Sequence, residues 1–128
     1  MTRLAPQARY EYFVKRVADR GELWALTRDD PEARSGTAFL FVDGPGGRSY
    51  LPVWPHQRYA TAGAQGDALE ARPLAIDVDQ WVSYWTRRAV EDGIKPLVFP
   101  TPDDAGHLVG ARELQRDLLE ELAKFEAK

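Results

Sequence analysis

The sequence contains no cysteine, which excludes disulfides, thiolate metal centres and a cysteine nucleophile. It has only two histidines, His56 and His107, so a zinc site built on several imidazoles is short of ligands. No stretch approaches the roughly 20 apolar residues of a membrane span. The opening MTRLAPQARYEYF lacks the apolar centre of a signal peptide. The expectation is a cytoplasmic protein that does not engage a membrane. There is no excess of basic charge either. Seventeen Lys and Arg stand against twenty Asp and Glu, a net charge of −3, and the basic pair Arg87-Arg88 is followed closely by Glu91 and Asp92. A nucleic-acid binder normally carries a basic excess or stripe, so no nucleic-acid partner is expected.

Aromatic residues are plentiful, with four Trp, five Tyr and five Phe in 128 residues. Such side chains dominate core energetics. The length suits a single domain over 1–128, with an ordered core from about residue 6 to 125.

Hydrophobic spacing locates the elements. After Pro6, the residues Tyr10, Phe13, Val14, Val17 and Ala18 mark one buried helical face, and Gly21 ends it. Glu22–Arg28 reads as a buried strand. Thr37–Asp43 and Ser49–Val53, separated by Gly44-Pro45-Gly46-Gly47, read as an antiparallel hairpin. Pro52 cannot donate to a ladder, which predicts an edge or a bulge there. Pro55 can open a short helix. Ala71–Ile76 reads as a strand, and Asp77 as the N-cap of a helix whose apolar face is Val78, Trp81, Val82, Trp85 and Ala89. Strands over Ile94–Phe99 and His107–Val109 precede a final helix with Leu114, Leu118, Leu122 and Phe125 on its buried side. The pattern predicts an α+β (or α/β) fold with a mixed sheet of about five strands, an N-terminal helix, the hairpin, and helices packed on the sheet.

The segment LPVWPH at 51–56 joins a strand to a helix and carries the first candidate site. Trp54 and Tyr59 can wall a shallow pocket in which His56 and the first helical N–H groups bind an anion or carboxylate. Alternatively, Trp54 packs in the core, Pro55 merely starts the helix and His56 meets solvent. Because Trp is usually highly buried, this second reading weighs more. The turn FPTPDDAGH at 99–107 adds Asp103 and His107 as candidate binding residues. With Asp104 and His56 they could gather around a metal only if both histidines converged, so no metal and no cofactor is expected.

Catalytic patterns are missing. Ser35, Ser49 and Ser83 have no nucleophile-elbow context. Gly44–Gly47 has neither the Lys nor the Ser/Thr of a phosphate loop. In the last helix, Glu113, Asp117 and Glu121 form an acidic row, a pattern that usually faces solvent but can meet a basic partner.

Tyr10-x-x-Phe13, Trp24, LPVWPH with Tyr59-Ala60, and Phe99-Pro100-Thr101-Pro102 together resemble the bacterial domain-of-unknown-function family 2750, over about Tyr10 to Leu122. That resemblance implies small cytosolic bacterial proteins and supplies no catalytic residues. More loosely, the order of elements is similar to the serine-sensitivity enhancing protein B family and to several bacterial immunity-protein families, an analogy of layout that does not fix function. The expectation is a non-enzymatic module that recognises another protein, in an immunity or stress setting. The alternative is a small-ligand-binding or enzymatic domain with its site at the Trp54–His56 junction and the 100–107 loop.

Overall fold

The computed structural model describes residues 6–29, 37–39, 41–43, 48–63, 71–101 and 106–126. Helix α1 (Pro6–Arg20) buries the face its spacing predicts, with Phe13 and Val17 fully enclosed and Tyr10, Val14 and Ala18 nearly so. Gly21 stops it in the left-handed region, φ 79°. Its N–H returns to the Val17 carbonyl at 2.8 Å while its own carbonyl accepts the Val78 N–H at 2.9 Å. One glycine therefore ends α1 and ties it to the start of a distant helix.

Strand β1 (Glu22–Asp29) is the middle of a three-stranded antiparallel sheet, between β2 (Thr37–Phe39) and β5 (Arg72–Asp77). A second sheet has the order β3-β4-β6-β7, built from Val42–Asp43, Ser49–Val53, Lys95–Val98 and His107–Leu108. Within it β4 and β6 run parallel, and the other pairs are antiparallel. The α+β class is as the pattern predicts, and the described strands number seven, in two sheets.

The division has a visible cause. The segment read as one strand over 37–43 pairs with β1 at its start and with β4 at its end. It therefore changes sheets between Phe39 and Val42. The hairpin survives as Val42↔Tyr50 and Asp43↔Ser49. Trp24 and Trp54 then join the sheets through two reciprocal backbone hydrogen bonds of 2.8 Å. Pro52 is not on an edge strand, since β4 lies between β3 and β6. However, the β3 register stops at Tyr50, so the proline sits just past it and forfeits no bond to β3.

Asp77 caps the following helix as expected, with φ −60° and ψ 135°, and its Oδ1 accepts the Asp79 N–H at 2.9 Å. The helix is not uniform. One α-turn, α3 (Val78–Gln80), passes into a π-helical turn (Trp81–Trp85) and then into α4 (Thr86–Asp92). The Thr86 N–H reaches back five residues to the Trp81 carbonyl, and its hydroxyl donates to the same oxygen at 2.7 Å. The inserted residue moves the buried face on by one position. Val78, Trp81 and Thr86 are buried, and Trp85, expected in the core beside Trp81, is only half-buried.

Helix α5 (Ala111–Glu126) packs on α1 and α4. Leu114 and Leu118 are fully buried and Leu122 partly so; the Phe125 side chain lies outside the described residues. Its Gln115 donates to the Val82 carbonyl of the π-turn at 2.6 Å, supporting the wider turn from outside. Each fully buried Leu or Phe contributes about 1.5–3 kcal/mol, so the α1–α5 layer carries much of the stability. Among the described residues no helix is long and apolar enough to cross a membrane.

Candidate functional site

The strand-to-helix junction is a structural joint. Trp54 is 2% exposed. Its backbone holds the two sheets together, and its indole Nε1 donates to the Pro100 carbonyl at 2.7 Å. The short helix α2 (Gln57–Gly63) starts two residues after Pro55, and His56 is its cap. The His56 carbonyl accepts the N–H groups of Tyr59 and Ala60 at 3.1 and 3.3 Å. Its ring Nδ1 accepts the Arg58 N–H at 3.0 Å, doing what Asp, Ser or Asn does at most N-caps. The imidazole thus spends one nitrogen on its own helix, beside a hollow of about 120 Å³ shared with Arg20, Glu22 and Trp24.

Residues 54–59 and 99–100 meet as packing. Tyr59 lies against Phe99 at 4.7 Å between ring centroids, and Tyr12 touches the same ring at 6.1 Å. Phe99 has φ 58°, a conformation few bulky side chains accept. Arg9, 3% exposed, explains how it is held. Its guanidinium covers the Phe99 ring at 4.5 Å and its Nη2 donates to the Phe99 carbonyl. Arg9 escaped the sequence reading because it is charged, although it stands four residues before Phe13 on the same helical face.

His107 lies in β7 with its ring 4.9 Å from that of Tyr10. Tyr10 in turn donates to Asp117 of α5 at 2.5 Å. Burial first, and this bond to a carboxylate second, push the phenol well above the usual tyrosine range. Two members of the acidic row are thereby occupied, Asp117 with Tyr10 and Glu121 with Lys124 at 2.9 Å. Asp103 and Asp104 lie outside the described residues. Among those described, no three metal-ligating side chains gather.

An apolar concavity lies elsewhere. The π-turn, α4 and the segment that changes sheets enclose a half-open apolar cleft of about 200 Å³, lined by Phe39, Phe41, Leu51, Trp81, Trp85 and Ile94. Phe39 and Trp85 meet edge to face at 4.9 Å and 86°, and Tyr84 continues the cluster at 4.8 Å from Trp85. Phe41 is 42% exposed, a large apolar ring left at the opening. Arg88 and Asp92, one turn apart on α4, are the two charged residues among the lining side chains described. Their atoms are 3.9 Å apart and both side chains are about half exposed, so they restrain each other weakly. Beneath, the buried Trp81 indole N–H has no acceptor among the described residues. An orphaned donor next to a π-turn is a departure from regular packing of the kind that collects at functional sites.

The sequence held a signal for this cleft. Ser83 and Thr86 both turn their hydroxyls back onto helix carbonyls, at Asp79 and Trp81. Such hydroxyls bend or loosen a helix from within, and here one lies inside and one just after a five-residue segment with three aromatic residues, Trp81–Trp85.

The class is thus an α+β domain with two joined sheets and an aromatic cleft on a π-helical turn. The family described as "Protein of unknown function (DUF2750)" matches residues 10–118, and the chain belongs to it. No curated protein matches the chain.

Proposed function

We propose that the chain is a non-enzymatic binding module, working in a bacterial cytoplasm as the family resemblance implies, that takes one apolar side chain of another protein into the aromatic cleft. The observation that carries this is the cleft itself, about 200 Å³, half-open, and walled by aromatic rings. Cofactor and drug-sized ligand sites usually run to about 300–1,000 Å³. A space of this size instead suits a single anchoring side chain, and such anchors provide most of the energy of many interfaces. Exposed Phe41 and Tyr84 extend the apolar surface around the opening. Both histidines serve the fold, His56 as a cap and His107 against Tyr10, which supports recognition over catalysis.

The test is photo-crosslinking from position 41. A benzophenone side chain placed there in the full-length protein should trap a partner in the native host. The purified partner should then bind the wild-type chain at least about tenfold more tightly than Phe41→Glu, the equivalent of one lost anchor. Equal binding by wild type, Phe41→Glu and Trp85→Ala would remove the cleft from the interface.

A further inference from the structure

The rim of the cleft carries more information than an apolar anchor requires. An aromatic hollow with one cation and one anion side by side at its mouth is complementary to a zwitterion attached to an apolar group. Arg88 and Asp92 provide the two charges on successive turns of α4. They are 3.9 Å from each other and about half exposed, so a ligand that separates them breaks little. The guanidinium suits a carboxylate, which it can grip with two parallel N–H groups. The Asp92 carboxylate suits an ammonium.

The apolar part is bounded by volume. An enclosed apolar cavity of about 150 Å³ is enough for one benzene ring, and the cleft offers about 200 Å³. Its walls favour a ring over an aliphatic chain. Phe39 already meets Trp85 edge to face at 4.9 Å, and the half-exposed Phe41 presents a further ring at the opening. Aromatic pairs in edge-to-face or offset contact gain more than simple burial provides.

We infer that the cleft binds a free α-amino acid with a single-ring aromatic side chain, the ring among Phe39, Phe41 and Trp85, the carboxylate on Arg88 and the ammonium on Asp92. This rests on the reading of the cleft as the recognition site and adds regulation to it, since the amino acid and the partner's anchoring side chain compete for one space. A module of this kind releases its partner when the free aromatic amino acid is abundant.

The same side chain at a peptide terminus offers only one of the two charges, and this separates the sources. Full-length protein is titrated with L-phenylalanine, N-acetyl-L-phenylalanine (no ammonium), L-phenylalaninamide (no carboxylate) and toluene, following the Trp85 indole resonance by NMR and the heat of binding. L-phenylalanine should shift that resonance saturably and bind about tenfold more tightly than either capped form, the effect of one charge-assisted hydrogen bond. Arg88→Gln should bring L-phenylalanine down to the level of its amide, and Asp92→Asn to the level of the N-acetyl form. Both positions are exposed, so folding is not at stake. No saturable binding of L-phenylalanine, a capped form or toluene binding equally well, or indifference to both substitutions would each overturn the inference. If L-phenylalanine fails while the crosslinked partner still depends on Phe41, only the amino-acid site is lost. If partner binding ignores Phe41 and Trp85, the reading beneath it falls.

Discussion

Arg9 and Phe99, ninety residues apart, form a single unit in which a buried guanidinium covers an aromatic ring and bonds to the carbonyl of the same residue. Phe99 keeps its left-handed backbone, φ 58°, because Arg9, Tyr12 and Tyr59 fix the ring and the carbonyl at once. Arg9→Ala leaves that carbonyl without its donor, a cost of about 1–3 kcal/mol before any loss of packing. Arg9→Lys should recover little, because an ammonium cannot both lie flat on the ring and reach the oxygen. Urea denaturation of the three proteins measures this, and an unchanged midpoint for Arg9→Ala would show the contact to be idle.

Gly106 packs against the backbone on either side of Phe99. Its φ is +91°, and a Cβ there would come within 3.0 Å of the Val98 carbonyl oxygen and 3.1 Å of the Pro100 nitrogen. Both neighbours are backbone and cannot swing away. Gly106→Ala therefore combines a left-handed penalty of about 1–2 kcal/mol with a clash. Thermal melting should show a clear drop, whereas Gly110→Ala, with open space around its Cβ, should melt close to wild type.

His56 is testable as a cap. His56→Ala removes the acceptor for the Arg58 N–H and should cost about 1 kcal/mol, the usual value of an N-cap side chain. His56→Asn offers an oxygen in place of the ring nitrogen and should keep wild-type stability. Chemical denaturation distinguishes the pair. If Asn is as damaging as Ala, the imidazole is needed for something other than the cap.

Much of this architecture was legible in sequence, and the failures share a cause. The periodicity of Tyr10, Phe13, Val14 and Val17 located the buried face of α1. Asp77 declared its cap, and Leu114 and Leu118 the core side of α5, because local spacing and burial agree there. The sheet division was not legible, since whether residues 37–43 stay with one partner is decided by strands distant in sequence. The structural roles at the strand-to-helix junction were not legible for a related reason. Trp54 and His56 are conspicuous residue types, but their roles are set by Pro100, Trp24 and Arg58. The cleft was missed because it depends on a turn of five residues where the apolar pattern suggested four, and only Ser83 and Thr86 hinted at the wider turn. Arg9 was passed over because a buried charge contradicts the hydropathy rule that finds its neighbours.

Tyr10 links folding to alkaline pH. Its phenol is raised in the folded protein by burial and by the bond to Asp117, while in the unfolded chain it titrates near the ordinary value of about 10. The contribution is therefore fully present below about pH 10 and declines as pH rises toward the folded value, because only the unfolded chain has released its proton. Tyr10→Phe should be less stable at neutral pH, by about 1–3 kcal/mol for a lost bond to a charged acceptor. Its stability should also fall less steeply than wild type above pH 10. Parallel denaturation curves between pH 7 and 11 check both points, and equal alkaline slopes would detach Tyr10 from the pH response.

The π-turn makes the sharpest claim about side-chain placement. With a regular α-helix from Val78 to Asp92, Trp85 would follow Trp81 into the core and Thr86 would face outward. In the structure Trp81 and Thr86 are buried and Trp85 lines the cleft. Trp81→Ala should thus cost about 3–5 kcal/mol as a core truncation, and Trp85→Ala distinctly less. Thr86→Lys is the decisive substitution. It forces an ammonium into a fully buried site, a change that ordinarily unfolds a domain of modest stability, yet on the regular helix it would be a harmless surface change within about 0.5 kcal/mol. Circular dichroism and urea titration of the three variants read the register directly. A stable Thr86→Lys protein alongside a severely damaged Trp85→Ala would restore the regular helix and close the cleft.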